Sequence, residues 1–260
     1  METSWKKNTI LFMSGQALSI FGTMVVQYAI IWHITLKTQS GIMMTVVSLI
    51  SFFPMFIISP FAGVWADRYN RKYIINIADG MIALISLIVG IFLAFGVNNI
   101  EIILICAFVR SIGEGIQEPA VGAVIPQIVP KEYLTKINGY QSSIQALISL
   151  TSPILSGVLM TFTPFQTLFF LDVFTAIIGI IIVLFFVKIP KLAKTGTEIQ
   201  EQKGSGYFKE LKEGLAYIKN HRFIFSLIAI TSIMLFLSAP GALFGTASGH
   251  KKFWRRCMAS

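Results

Sequence analysis

The chain has 260 residues, of which 55% are hydrophobic and 13% charged, with a formal net charge of +9 and a mean hydropathy of +0.74. A water-soluble domain of this size needs more charge than that to keep its exterior wet, so the composition excludes one and points to lipid as the solvent. The basic excess is scattered over short connections between apolar runs, which leaves no continuous basic face and argues against a nucleic-acid partner.

Seven apolar segments follow one another, at roughly 9–35, 41–64, 73–97, 100–125, 139–162, 165–187 and 223–245. Each approaches or exceeds the roughly 20 residues that cross a bilayer core of about 30 Å. Backbone donors and acceptors have no partner in lipid, so each segment is predicted to be a helix. Pro54, Pro60, Pro119, Pro153 and Pro240 fall in or near these segments; neighbouring helices of a membrane bundle accommodate the kinks they cause. Lys6 and Lys7 precede a first run too long for a signal peptide, with no small-residue cleavage site after it, so the first span is expected to remain. Cys106 lies inside a span and Cys257 far from it, a usage that suggests no disulfide framework.

The connections fix an orientation. Lys6 and Lys7 precede span one; Arg68, Arg71 and Lys72 follow span two; Lys131 and Lys136 follow span four; eight basic residues follow span six between Lys188 and Arg222. The opposite connections hold only Lys37, the stretch VNN and the stretch TFTPF. Basic residues mark the cytoplasmic side, so the N-terminus is expected there, in a multi-pass protein of the cell membrane. The stretch KLAKTGTEIQEQKGSG after span six has linker composition. Beyond it Phe208, Leu211, Leu215 and Ile218 share one face, which predicts an amphipathic helix on the inner membrane surface.

The turn between spans two and three, GVWADRYNRKYI, concentrates Asp67, Arg68, Arg71 and Lys72 within a few residues. Its shortness predicts adjacent, antiparallel helices, with Gly63 allowing a close approach. Two readings stand: the basic residues merely hold the loop inside, or the turn has a mechanical role that also needs Gly63 and Asp67. The stretch resembles the signature loop of the major facilitator superfamily, G-x-L-A-D-R-x-G-R-K. Gly63, Ala66, Asp67, Arg68, Arg71 and Lys72 match, while Trp65 and Asn70 depart from it. The Asn70 departure is mild, since asparagine tolerates left-handed backbone better than most residues. The resemblance implies a cytoplasmic latch built on Gly63, Asp67, Arg68, Arg71 and Lys72, with Glu118 as a further partner for Arg71.

VRSIGEGIQEPAVG in span four is similar to the superfamily's arginine-bearing helix, with Arg110 at that place and Gly113 and Gly115 bracketing the expected glycine after it. SLTSPILSGVL in span five is similar to its antiporter motif, through Ser152, Pro153, Ser156 and Gly157, which implies a helix-packing role. Within the superfamily the chain looks closest to bacterial macrolide-efflux proteins. The implied fold is all-α: a polytopic membrane bundle, the N-terminal six-helix half of such a transporter, plus a seventh span.

Charges at bilayer depth are costly and are usually paired or line a cavity. Arg110, Glu114 and Glu118 step by four along span four and share a face. One reading is an Arg110–Glu114 pair that only neutralises itself. The other makes Glu114 the carrier of a coupled proton, its affinity set by Arg110. Asp79, near the inner surface, either reaches water or titrates; Asp172, near the outer one, either protonates or snorkels. Gln27 and Asp172 are candidates for a substrate cavity, Gln16 a lesser one, and His33 is expected at the outer interface.

No G-x-S-x-G, H-E-x-x-H or P-loop stretch occurs, so no catalytic residue, metal site or cofactor is expected, and the proton gradient is left as energy source. The domains read as 1–188, the six-span half; 189–222, the linker with its amphipathic helix; 223–245, a seventh span; and 246–260, a basic tail. Lys251, Lys252, Arg255 and Arg256 break the charge rule that fits every earlier connection. They suggest a change of frame near Pro240, with the rest foreign to the transporter; the alternatives are a genuine seven-span chain, whose missing half lies in a partner polypeptide, or a span seven that does not cross. The expected activity is proton-coupled export of a small apolar substrate, a macrolide above others, impaired in this product by the missing half. The alternatives are a carrier of another small solute, or a non-transport membrane protein that docks partners through the same helices.

Overall fold

A computed structural model describes residues 2–189, 221 and 223–234, with the side chains of residues 2–4 and of Asp67 left aside. It divides into two units, residues 1–200 and 201–260.

The first unit is a helical bundle. Its elements are α1 (Glu2–Thr38), α2 (Gly41–Arg68), α3 (Arg71–Ala94), α4 (Ile100–Ile128), a 3-10 turn (Lys131–Tyr133), α5 (Leu134–Phe162) and α6 (Gln166–Ile181), which runs on into a π-helical turn (Ile182–Phe186). Five helices are long and apolar enough by composition to cross a membrane: α1, α2, α3, the 3-10 turn with α5, and α6 with its π turn. Helix α4 has a comparable length of 29 residues and carries Glu101, Arg110, Glu114 and Glu118.

Local sequence signals punctuate the helices. Ser40 caps α2, its side chain accepting from Met43 N. Asn70 caps α3 by accepting from Lys72 N at 3.1 Å. Its φ of −68° is ordinary extended backbone, so asparagine stands in this turn as a helix cap; the expected left-handed geometry is absent at this position. The positive φ lies elsewhere, at Gly96 (+84°), where Gly96 N bonds Leu93 O and Val97 N bonds Phe92 O, the paired bonds that close a helix C-terminus.

Packing does not follow chain order. Helix α2 packs chiefly on α4; α3 packs on α4 and α6; α1 packs on α6 and α5. Helices α2 and α3, joined by Tyr69 and Asn70 alone, make little contact, which corrects the expectation that the short turn makes them neighbours. Gly63 meets nothing either: a Cβ built there would have no atom within 4 Å. The close approach of α2 is instead at Gly115 of α4, where a Cβ would lie 2.9 Å from Met55 Cα and 3.0 Å from Met55 O. Beside it, Ser111 Oγ donates to Ser51 O and accepts from Met55 N at 3.1 Å. That hydroxyl from α4 thus serves the backbone of α2 on either side of Pro54, where the proline has removed a donor.

Two apolar cores occupy the two ends of the bundle. One gathers Phe12, Ala66, Ile75, Ala120, Val124 and Val183 with their neighbours. The other gathers Val25, Ile30, Val89, Ile103, Cys106 and Phe169 with theirs. Along α1, α3, α4 and α6 alike, polar residues fill the interval between the cores. The second unit is described at His221 and in one apolar helix, α7 (Phe223–Met234). Only these residues of the expected seventh span fall among those described; the linker, the amphipathic helix and the basic tail lie outside them.

Candidate functional site

The polar interval is built in two tiers. In the upper tier Arg110, fully buried, forms an ion pair from Nη1 with Asp172 Oδ2, also fully buried, and donates to Ser86 Oγ. Its Nη2 donates to Thr23 O at 3.0 Å. Asp172 also accepts from Ser86 Oγ at 2.8 Å and from Thr23 Oγ1 at 3.2 Å. Four helices, α1, α3, α4 and α6, therefore meet at one guanidinium–carboxylate pair. Two charges out of water are tolerated only with such compensation. Arg110 Nε is buried without a partner.

The lower tier centres on Asp79, 2% exposed. Ser19 Oγ donates to Asp79 Oδ1 at 2.6 Å and Gln117 Nε2 to the same oxygen at 2.7 Å. Gln16 Nε2 faces Asp79 Oδ2 at 3.5 Å, and Gln117 Nε2 lies 3.2 Å from Gln16 Oε1. These partners are all neutral. Gln16 and Thr23 on α1, Asp79 and Ser86 on α3, and Gln117 and Arg110 on α4 are each seven residues apart, two helical turns.

Several expectations are corrected here. Asp172 and Asp79, placed near the two surfaces by span depth, are both enclosed; each lies on the one stripe of its helix that faces the bundle axis. Asp172 is an ion-pair member and does not line an open cavity. The ion-pair partner of Arg110 is Asp172 on α6, although Glu114 shares its helix face. Glu114 Oε1 is buried without a hydrogen-bond partner. Gln27 is half-buried on α1, and Glu118 is exposed on α4. Sequence reasoning missed Ser19, Thr23, Ser86 and Gln117; the signal for Thr23, Ser86 and Gln117 is the seven-residue recurrence of polar residues along otherwise apolar helices, and Ser19 falls between Gln16 and Thr23 on the same face.

The charged turn works through carbonyls. Arg71 Nε donates to Ala66 O at 2.9 Å and Nη1 to Ala123 O at 2.6 Å, tying α3 to α2 and α4. Lys72 Nζ donates to Leu184 O and Val187 O, each at 2.8 Å, at the end of α6. Ala66 O is among the last carbonyls of α2 that have no partner within their own helix, and the α6 acceptors end a helical segment in the same way. Cations there also answer the negative end of the helix dipole. At the same end of the bundle, Asn8 closes on Lys188 through two bonds, Nδ2 to O at 2.7 Å and Oδ1 from N at 2.8 Å. At the opposite end His33 stacks on Phe165 at 4.0 Å between centroids and pairs with Asn98 Oδ1 at 3.2 Å, while Lys37 Nζ donates to Asn98 O.

In α5, Ser152 and Ser156 are fully buried with hydroxyls that lack partners, and Pro153 lies within the helix. A Cβ on Gly157 would lie 2.7 Å from the Trp32 ring, so this stretch sits where α5 crosses α1. A cleft between α1, α4 and α5 is lined by Met13, Gln16, Ile125, Gln141, Gln145 and Ile148, among others. Among the described residues no group of three or more His, Cys, Asp or Glu is placed to hold a metal.

Membrane-length helices around a buried ionic centre define a polytopic membrane protein of the transporter class. The chain belongs to the Major Facilitator Superfamily, whose profile matches residues 12–252, past Pro240. It is 33% identical over 242 residues to macrolide efflux protein A of Streptococcus pyogenes, covering 93% of this chain and 58% of that protein. It is also 33% identical over 198 residues to macrolide efflux protein A of Enterococcus faecalis, covering 76% of this chain and 60% of that one. A staphyloferrin A transporter of Staphylococcus aureus is 22% identical over 209 residues, 79% of this chain and 53% of its own. The chain thus spans somewhat more than half the length of these relatives. Its family is one of transporters and not of enzymes.

Proposed function

We propose that the chain is the six-helix half of a proton-coupled exporter of apolar antibiotics, with a macrolide as substrate, in a bacterial cell membrane with its N-terminus in the cytoplasm. The observation that carries the substrate class is the 33% identity, over 93% of this chain, to a protein named for macrolide efflux. The buried polar layer supports the coupling: carboxylates inside a membrane bundle are costly to keep and are typical members of proton relays. Arg110 and Glu114 on α4 belong to that layer and are the first candidates for coupling; Gln27 remains a candidate for contact with substrate.

Gly63, Asp67, Arg68, Arg71, Lys72 and Glu118 form the proposed cytoplasmic latch. In this reading Arg71 and Lys72 hold one end of the bundle closed by clasping the ends of α2 and α6. Release of those carbonyls opens that end. Ser152, Pro153, Ser156 and Gly157 serve as the packing seam between α5 and α1. Substrate in this fold binds between two halves, so a partner half, in the same or another polypeptide, completes the site.

The test is accumulation of a labelled macrolide in bacteria expressing the chain extended to the length of its relatives. The expected outcome is lowered accumulation that a protonophore restores. Unchanged accumulation, or export indifferent to the protonophore, refutes the reading. The similarity to a staphyloferrin A transporter favours one second reading, a carrier of another small solute; competition of that solute class against macrolide in the same assay separates them.

A further inference from the structure

Among the described residues, the lower tier contains a carboxyl group with no cation, and the antiport reading as first drawn makes no use of it. We propose that Asp79 is the proton-binding site of this half-bundle, with Ser19, Gln16 and Gln117 as the set of side chains that serves its carboxylate and its carboxylic acid in turn. The proposal rests on the antiport reading for its purpose, though its chemistry can be read on the chain alone.

The argument is one of partners. Among the described residues, every charged group facing Asp79 is already engaged or distant. On α4, Arg110 is taken by Asp172 of α6 one tier away, about 10 Å along the helix for seven residues; Glu114 and Glu118 are acidic. On α1 the facing residues are Gln16 and Ser19, and its nearest cations, Lys6 and Lys7, lie more than two turns toward the N-terminus. On its own helix, Arg71 and Lys72 are turned to carbonyls of α2, α4 and the end of α6. The π turn carries no charge, and α2, which barely touches α3, ends in Asp67 and Arg68.

What surrounds Asp79 is adaptable. As a carboxylate it accepts from the Ser19 hydroxyl and the Gln117 amide. On protonation a new O–H bond forms at Oδ1 or Oδ2 as an O–H bond of a hydronium ion breaks and leaves water, and the group becomes a donor that needs an acceptor. The Ser19 hydroxyl can turn to accept, and the Gln16 amide can present its oxygen by rotation about its last torsion. Both states keep hydrogen bonds, and no group is oxidised or reduced. Asp172 has no such freedom, because loss of its charge strands Arg110 in the core.

Access is built in as well. Gln16 touches Asp79 and also lines the cleft between α1, α4 and α5, so one side chain spans the distance from the buried carboxyl to the cavity. Glu114 is the rival: its Oε1 is buried without a hydrogen-bond partner, so it lacks the set of bonded side chains that Asp79 has.

The experiment is carbodiimide mapping. Dicyclohexylcarbodiimide is an apolar reagent that adds to carboxyl groups in their protonated form, and the adduct is located by peptide mass. The purified chain in detergent micelles is treated across a pH series. Label at Asp79 is expected, rising several-fold as pH falls, lost in Asp79→Asn and unaffected in Glu114→Gln. If Asp79→Asn does not fold, the map of the unaltered chain decides alone. No label at Asp79 in the acid range, wherever else the reagent lands, overturns the proposal, as does labelling of Asp79 that ignores pH. Because the readout needs no transport, label at Asp79 together with gradient-independent efflux would sink the antiport reading and leave the site standing.

Discussion

Arg110 shows what single residues reveal and conceal. Its presence in an apolar helix marks it as functional or paired, and the sequence places it on one face with Glu114. The partner it actually takes, Asp172, is 62 residues away, and no spacing rule reaches that far. Helical periodicity reports which residues share a face; it is silent on which helix that face will meet. For Asp79 and Asp172 burial removes one of two readings, contact with water or snorkelling, since depth along a span says nothing of rotation about its axis. Removing one member of the pair should be severe: Arg110→Leu leaves Asp172 buried and unpaired, at a cost of about 3–5 kcal/mol. Replacing both by leucine should recover much of that loss. Unfolding in mixed micelles measures it, and a double variant no more stable than the single one would show that the pair does not act as a unit.

Helices were the most legible level. Membrane-length apolar runs bounded by Ser40, Asn70 and Gly96 leave little choice, because lipid forbids unpaired backbone. Their contacts were less legible. The signature turn drew attention to Gly63, yet the close approach is at Gly115, whose Cβ would collide with the α2 backbone at Met55. Gly115→Val should therefore push α2 from α4 and cost about 1–3 kcal/mol, the usual penalty for overpacking. Gly63→Ala should be neutral, or stabilising by up to about 1 kcal/mol through helix propensity. Thermal denaturation of the two variants in detergent checks the contrast, and equal losses would refute it. The turn itself acts through the main chain. Lys72→Met removes two donors from carbonyls at the end of α6, while Lys72→Arg retains a cation there. Hydrogen exchange at the amides of the π turn should rise several-fold in the first variant and much less in the second.

At the largest scale, the first unit is a two-ended apolar bundle with a polar band across its middle. The succession of apolar helices was readable from composition and run length, and the superfamily from the resemblance of the turn at residues 63–72. The band was not, because its members are modest residues such as Ser19, Ser86 and Gln117 that mean little until helices are laid side by side. The chain spans 58% of the length of macrolide efflux protein A of Streptococcus pyogenes, and substrate in such folds binds between halves. Expressed alone, these 260 residues are expected to leave macrolide accumulation unchanged. Co-expression with a second six-helix half should lower it, and efflux by the 260 residues alone would overturn this expectation.

The two tiers also constrain how the gene can change. Three helices keep their tier members seven residues apart, and α4 runs against the other two. A single codon inserted between 79 and 86 would turn the rest of α3 by about 100° and carry one tier off the axis. Only a compensating deletion in the same interval would restore it. Loops and helix ends of this chain can drift in length between descendants, whereas three short intervals, 16–23, 79–86 and 110–117, are held to a fixed count.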